Sequence, residues 1–173
     1  MTMFPQDLLD EISVKIYSEP LSIIRSSGSI RDLSVPLHVI MLTVDFLTER
    51  DMNGIWNFFG NSTGLYALDT VAALTSIKAR RSAEKLSRMV EIASVHGMTY
   101  SNIQRDRADN SVRRGSEHSF VTSWDETHGD KWKVAQRLID DIDRELDEDE
   151  IRECLLQYVV IHQHGLETML RDR

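Results

Sequence analysis

Apolar residues recur at three- and four-residue intervals along most of this chain, the period of helices that bury one face. Pro5 followed by Leu8, Leu9, Ile12 and Ile16 predicts a first helix, because proline suits a helix's first turn, and Glu19-Pro20 ends it. A second begins at a Ser34 cap and Pro36 and carries Leu37, Ile40, Met41, Val44 and Leu47 to about Arg50. The aromatic block Trp56-Asn57-Phe58-Phe59 sits among glycines and asparagines and predicts a short helix or tight corner.

Ala67, Val71, Leu74 and Lys78 mark the next helical face, and Leu86, Met89, Val90 and Ala93 the one after. Arg80 and Arg81 are expected at the bend between them, and Gly97 is expected to close the second in a left-handed cap. Ala135, Leu138, Ile139, Ile142 and Leu146 trace a strongly amphipathic helix. Asp147 with Glu150 three residues on resembles a capping box and opens a last helix with Ile151, Leu155, Tyr158, Val159 and His162 on its face. Gly165 is expected to end that helix, and the last two helices to form an antiparallel hairpin. No run of strand alternation and no fixed-period repeat interrupts the pattern. The expected fold is therefore all-α, an irregular single-domain helical bundle over residues 1–173. Its polar, aperiodic stretch at 104–119 reads as a mobile loop.

Composition agrees: 173 residues with 41% hydrophobic and 28% charged positions have globular proportions and can bury a core without disulfides. A single cysteine, Cys154, excludes an internal disulfide and reads as a half-buried thiol. No apolar run approaches the ~20 residues that span a bilayer. Met1 to Asp10 has no Lys or Arg and so lacks a secretory signal's basic region. A cytoplasmic protein is expected, with no membrane partner.

Charge changes the picture most. The formal charge of −8 disfavours nucleic acid as a direct partner. It is unevenly placed, since nine bases (Lys78, Arg80, Arg81, Lys85, Arg88, Arg105, Arg107, Arg113, Arg114) stand against four acids between Lys78 and Arg114. From Asp140 to Glu150 the acids are Asp140, Asp141, Asp143, Glu145, Asp147, Glu148, Asp149 and Glu150, against the one base Arg144. Asp141, Glu145 and Glu148 at i, i+4 and i+7 are expected to line one helix face as a row of carboxylates, able to attract the cations with which a DNA-binding protein neutralises phosphates. An acidic outer face is also what a solvated helix shows. The basic residues Lys78, Arg81, Lys85 and Arg88 could pair with this acidic run internally or across a dimer.

Other chemistry is sparse. No phosphate-binding glycine loop, nucleophile elbow, paired CxxC or HExxH occurs. Glu117, His118, Asp125 and His128 could bring carboxylates and imidazoles to one metal, but their spacing matches no standard pattern. His162 and His164, two apart on a helix, point about 200° apart and cannot share an ion. His162 reads as a core histidine and His164 as a favourable charge at a helix end.

The segment Asn53-Gly54-Ile55-Trp56-Asn57-Phe58-Phe59-Gly60-Asn61-Ser62-Thr63-Gly64-Leu65-Tyr66-Ala67, followed by Val71-Ala72-Ala73-Leu74, resembles the bacterial DNA-mimic protein 19 family, with its aromatic block and asparagine-serine-x-glycine turn leading into a helix. Physically the block is a folding motif: the aromatics supply core, Asn61 and Ser62 can cap the next helix, and Gly60 and Gly64 permit unusual backbone. The resemblance implies a non-enzymatic, cofactor-free homodimer. Its acidic surface would occupy the DNA-binding face of a basic partner such as a helix-turn-helix regulator. The family fixes no acidic positions by motif, so Asp140 to Glu150 rest on charge and spacing. The alternative is an immunity-like inhibitor covering a nuclease toxin's basic groove, and a metal-dependent hydrolase using Glu117, His118, Asp125 and His128 ranks third.

Overall fold

The computed structural model describes residues 3–27, 29–105 and 130–171. They form α1 (Pro5–Lys15), α2 (Leu21–Ser27), α3 (Val35–Asn53), α4 (Ile55–Gly60), α5 (Ala67–Ser76), α6 (Arg80–Val95), α7 (Asp130–Arg144) and α8 (Glu148–Arg171). Short 3-10 turns cover Ser29–Asp32 and Ser62–Tyr66, and a further helical turn covers residues 100–105. There is no strand among the described residues, and the fold is all-α as expected.

α3 is the axis. The expectation was a one-sided helix, but every residue from Val39 to Leu47 is buried, Thr43 and Asp45 included. The continuous apolar run explains this, because a helix apolar on all sides must be surrounded on all sides. Its buried polar groups are satisfied: the Thr43 hydroxyl donates to the Val39 carbonyl at 2.9 Å, and Asp45 accepts from the Tyr17 hydroxyl at 3.1 Å. Packing then runs outward from α3 in both directions. α8 lies against α3 and α1 against α8 on one side; α4 and α5 lie against α3, α6 against α5 and α7 against α6 on the other. Phe46 of α3 meets Phe58 of α4 edge to face, with ring centroids 5.0 Å apart.

Several boundaries differ from the sequence reading. The bend before α6 falls at Ile77 to Ala79, with Lys78 at φ 72, so Arg80 and Arg81 open the helix instead of marking the turn. Lys78 therefore lies in the turn, outside the helix that carries Arg81, Lys85 and Arg88. Gly97 has φ 72, the left-handed backbone expected after α6. α8 runs through Gly165 to Arg171, because Leu166 is buried beyond it, and Gln163 and Glu167 bond the Met3 backbone. The last two helices do not form a hairpin; after a link at Glu145 to Asp147, α7 goes to α6 while α8 goes to α3 and α1. Leu138, assigned to the buried stripe of α7, is 43% exposed, and the stripe is Trp132, Ala135, Ile139 and Ile142, continued past the helix end by Leu146.

Residues 104 and 105 end the helical turn begun at 100, and Gln104 donates to the Gly60 carbonyl at 3.0 Å, so the expected loop does not start there. Its remainder, 106–119, lies outside the described residues. No helix among the described residues is long and apolar enough to cross a membrane.

Candidate functional site: an acidic corner

The turn after α3 sets up the site. Gly54, at φ 77, lets the chain leave α3 and enter α4 at once, which puts Trp56 beside α7 and the Phe58 and Phe59 rings in the core. The Asn61 side chain does not cap the next turn as its residue type suggested. Asn61 donates its amide to the Glu49 carboxylate at 2.7 Å, and Asn57 donates to the same oxygen, so this nearly buried acid at the end of α3 is held by two of the motif's three asparagines. Thr63, also buried, donates to the Phe58 carbonyl at 3.1 Å. The motif is thus a brace that joins α3 to α4.

The next residue of α3, Arg50, reaches the acidic run. Its guanidinium, 13% exposed, donates from Nε to Asp143 at 2.6 Å and from Nη2 to the Asp143 carbonyl at 2.9 Å, and pairs through Nη1 with Glu148. One planar fork so ties the last turn of α7 to the first turn of α8. Trp56 donates its indole N–H to Asp140 at 2.7 Å. From α6, Ser82 donates its hydroxyl to Glu150 at 2.6 Å and its backbone N–H at 3.2 Å. Burial pushes the Glu150 carboxyl upward, but the bonds from Ser82 and Arg81 outweigh it and hold the group below the ordinary carboxylate value. Asp147 caps α8, accepting the Glu150 backbone N–H at 3.0 Å, while the Glu150 side chain turns to Ser82 and does not complete a capping box.

The eight acids therefore divide. Asp140, Asp143, Glu148 and Glu150 point inward onto named partners. Asp141 and Glu145 face water, with side chains 65% and 73% exposed, paired among the described residues only with Arg144 at 2.8 Å and Lys85 at 3.8 Å. Asp147 is half exposed, and Asp149 is exposed with no ion pair among the described residues. The expected row of Asp141, Glu145 and Glu148 on one helix face is not present. Helical geometry stops at Arg144 and resumes at Glu148, and Glu148 is turned toward Arg50. The corner is nonetheless acidic outward and braced inward.

Sequence reasoning missed Glu49, Arg50, Trp56 and Ser82 as parts of this corner. Arg50 and Glu148 are 98 residues apart, and nothing local announces such a contact. The pairing of basic and acidic stretches, which the sequence left open, occurs within the chain through Arg81 and Lys85, but Arg88 has no ion pair among the described residues. His162 is half-buried, its ring tilted against that of Tyr158 with centroids 4.4 Å apart, and not enclosed in the core, and His164 is exposed. Cys154 is half-buried and its thiol is pushed up by burial, then by Glu150 and Glu153. Among the described residues no three His, Cys, Asp or Glu side chains gather as a metal site. Glu117, His118, Asp125 and His128 lie outside the described residues.

An all-helical protein whose family-like turn braces a solvent-facing acidic corner is the class these features define. The model of the DMP19-like protein family matches residues 31–164, most of the chain, and this protein belongs to that family. No curated protein and no solved structure matches it.

Proposed function

We propose that this protein is a non-enzymatic inhibitory module of the DNA-mimic kind, whose acidic corner binds the DNA-binding face of a transcriptional regulator. The observation that carries the reading is the division of the acidic run. The inner carboxylates are fixed by Arg50, Trp56 and Ser82, so Asp141, Glu145, Asp147 and Asp149 are presented on a braced support. Carboxylates held in place before binding lose less freedom when a partner's Lys and Arg side chains arrive. Membership of the DMP19-like family supports the same reading.

The test follows from the geometry. Neutralising Glu148 would disturb Arg50, so the variant to use is D141N/E145Q/D149N, three exposed positions at each of which the substitution changes folding stability by about 0.5 kcal/mol or less. Tagged protein and variant are used to capture partners from host lysate at low salt, with elution by salt or by duplex DNA. A helix-turn-helix regulator retained by the parent, released by both eluents and absent with the variant is the expected result. Equal retention by the variant would overturn the assignment, and a captured nuclease would replace the regulator by a toxin.

A further inference from the structure

Two of the outward carboxylates, Glu145 and Asp147, carry cations from outside the acidic run. Arg81, in the first turn of α6, is 75% exposed and reaches Glu150 with Nε at 3.3 Å and Asp147 with Nη2 at 3.9 Å. Lys85, one turn later, places Nζ 3.8 Å from the Glu145 carboxylate and donates to the Glu145 carbonyl. Both come from outside the acidic run and cover the link between α7 and α8. They differ from Arg50, whose guanidinium is nearly enclosed and holds the elements together. The Arg81–Asp147 pair, 75% and 48% exposed, and the Lys85–Glu145 pair, 30% and 73% exposed, are open to water on at least one side; such pairs add little to folding, so they can be displaced while Ser82 keeps its hold on Glu150.

We propose that Arg81 and Lys85 are built-in competitors, which occupy the acidic corner as a cationic partner would and must be displaced for that partner to bind. The inference rests on the acidic-corner reading and adds its regulation. Exchange of one internal cation for one external cation yields no net pairing. A lone basic side chain therefore gains little at Glu145 or Asp147. A partner gains when it brings several cations at once and also engages Asp149 and Asp141. The two side chains so discriminate between scattered positive charge and the dense cluster of a nucleic-acid-binding face. They also make removal of a basic residue strengthen binding, a direction that damage to the fold would not produce.

Binding of a fluorescein-labelled octa-arginine peptide, followed by anisotropy at about 20 mM and about 150 mM salt, tests this with the full chain and R81Q, K85Q, R81Q/K85Q and R88Q. Arg88 is an exposed neighbour on α6 without an ion pair among the described residues, so R88Q changes net charge as each single variant does but frees no carboxylate. The expected result is affinity about three- to tenfold tighter for R81Q/K85Q, with intermediate single variants, a gain for R88Q below about twofold, and all gains shrinking at the higher salt. Binding by the double variant alone would also support the competitor role, as full occlusion. If the parent binds and R81Q/K85Q gains no more than the doubled effect of R88Q, the competitor role is overturned while the acidic corner stands. If neither parent nor double variant binds, both ideas fall.

Discussion

A methyl group on Gly64 would lie 2.6 Å from the carbonyl oxygen of Phe59 and 3.0 Å from that of Phe58. Both are backbone atoms of α4, which is packed against α3, so neither can retreat freely. Gly64→Ala should cost about 1–3 kcal/mol through forced overpacking, read as a lower midpoint in urea denaturation with unchanged slope. A midpoint equal to the parent's would show that the turn yields. This residue type and its neighbours were legible in the sequence, because a glycine between a polar turn and a helix signals close approach or unusual backbone. The destination of Asn61 was not legible. Its capping preference is a local property, whereas its actual partner, Glu49, is brought to it by the packing of α3 on α4.

Helices were read well where one face is apolar and poorly where tertiary contacts choose the outcome. The amphipathic stripe of α7 was evident apart from Leu138, which is exposed, and Trp132, which joins it, and the start of α8 after Asp147 was marked by its cap. The path of α8 past Gly165 was not, since a mid-helix glycine costs only about 1 kcal/mol and the buried Leu166 and the ties to Met3 offset it. The corner between α7 and α8 likewise depends on a distant residue. Arg50→Met removes a nearly enclosed cation, strands Asp143 and leaves Glu148 only its pair with Arg152, and should destabilise the protein by about 2–4 kcal/mol. Arg50→Lys should recover less than half of that loss, because an ammonium cannot repeat the fork that bonds the Asp143 carboxylate, its carbonyl and Glu148 together. Urea denaturation of the three proteins checks both statements, and full recovery by lysine would mean that charge alone, without the fork's geometry, holds the corner.

Across the whole molecule, the charge of −8 is distributed so that carboxylates also serve as fasteners at both ends of α8. At its start, Glu150 is held below the ordinary value by Ser82 and Arg81 against the opposing effect of burial. Near its end, Glu167 is lowered chiefly by the Gln163 side chain and then by the Met3 backbone N–H. The sequence announced an acidic protein but not this use of it, since apart from Gln163, one turn before Glu167, the partners lie on α6 and at the N-terminus, with Ser82 68 residues from Glu150 and Met3 164 from Glu167. Both groups are more acidic folded than unfolded. Below the unfolded value of about 4.3 the unfolded chain binds more protons, so the stabilisation present at higher pH is lost as pH falls through the lower folded values. E150Q/E167Q should therefore be less stable than the parent near neutrality, with the difference narrowing as pH drops from about 5 toward about 3. Urea midpoints measured across that range read it directly. A difference that stays constant with pH would mean that these carboxyls fasten α8 by shape and hydrogen bonding alone, with no contribution from their ionised form.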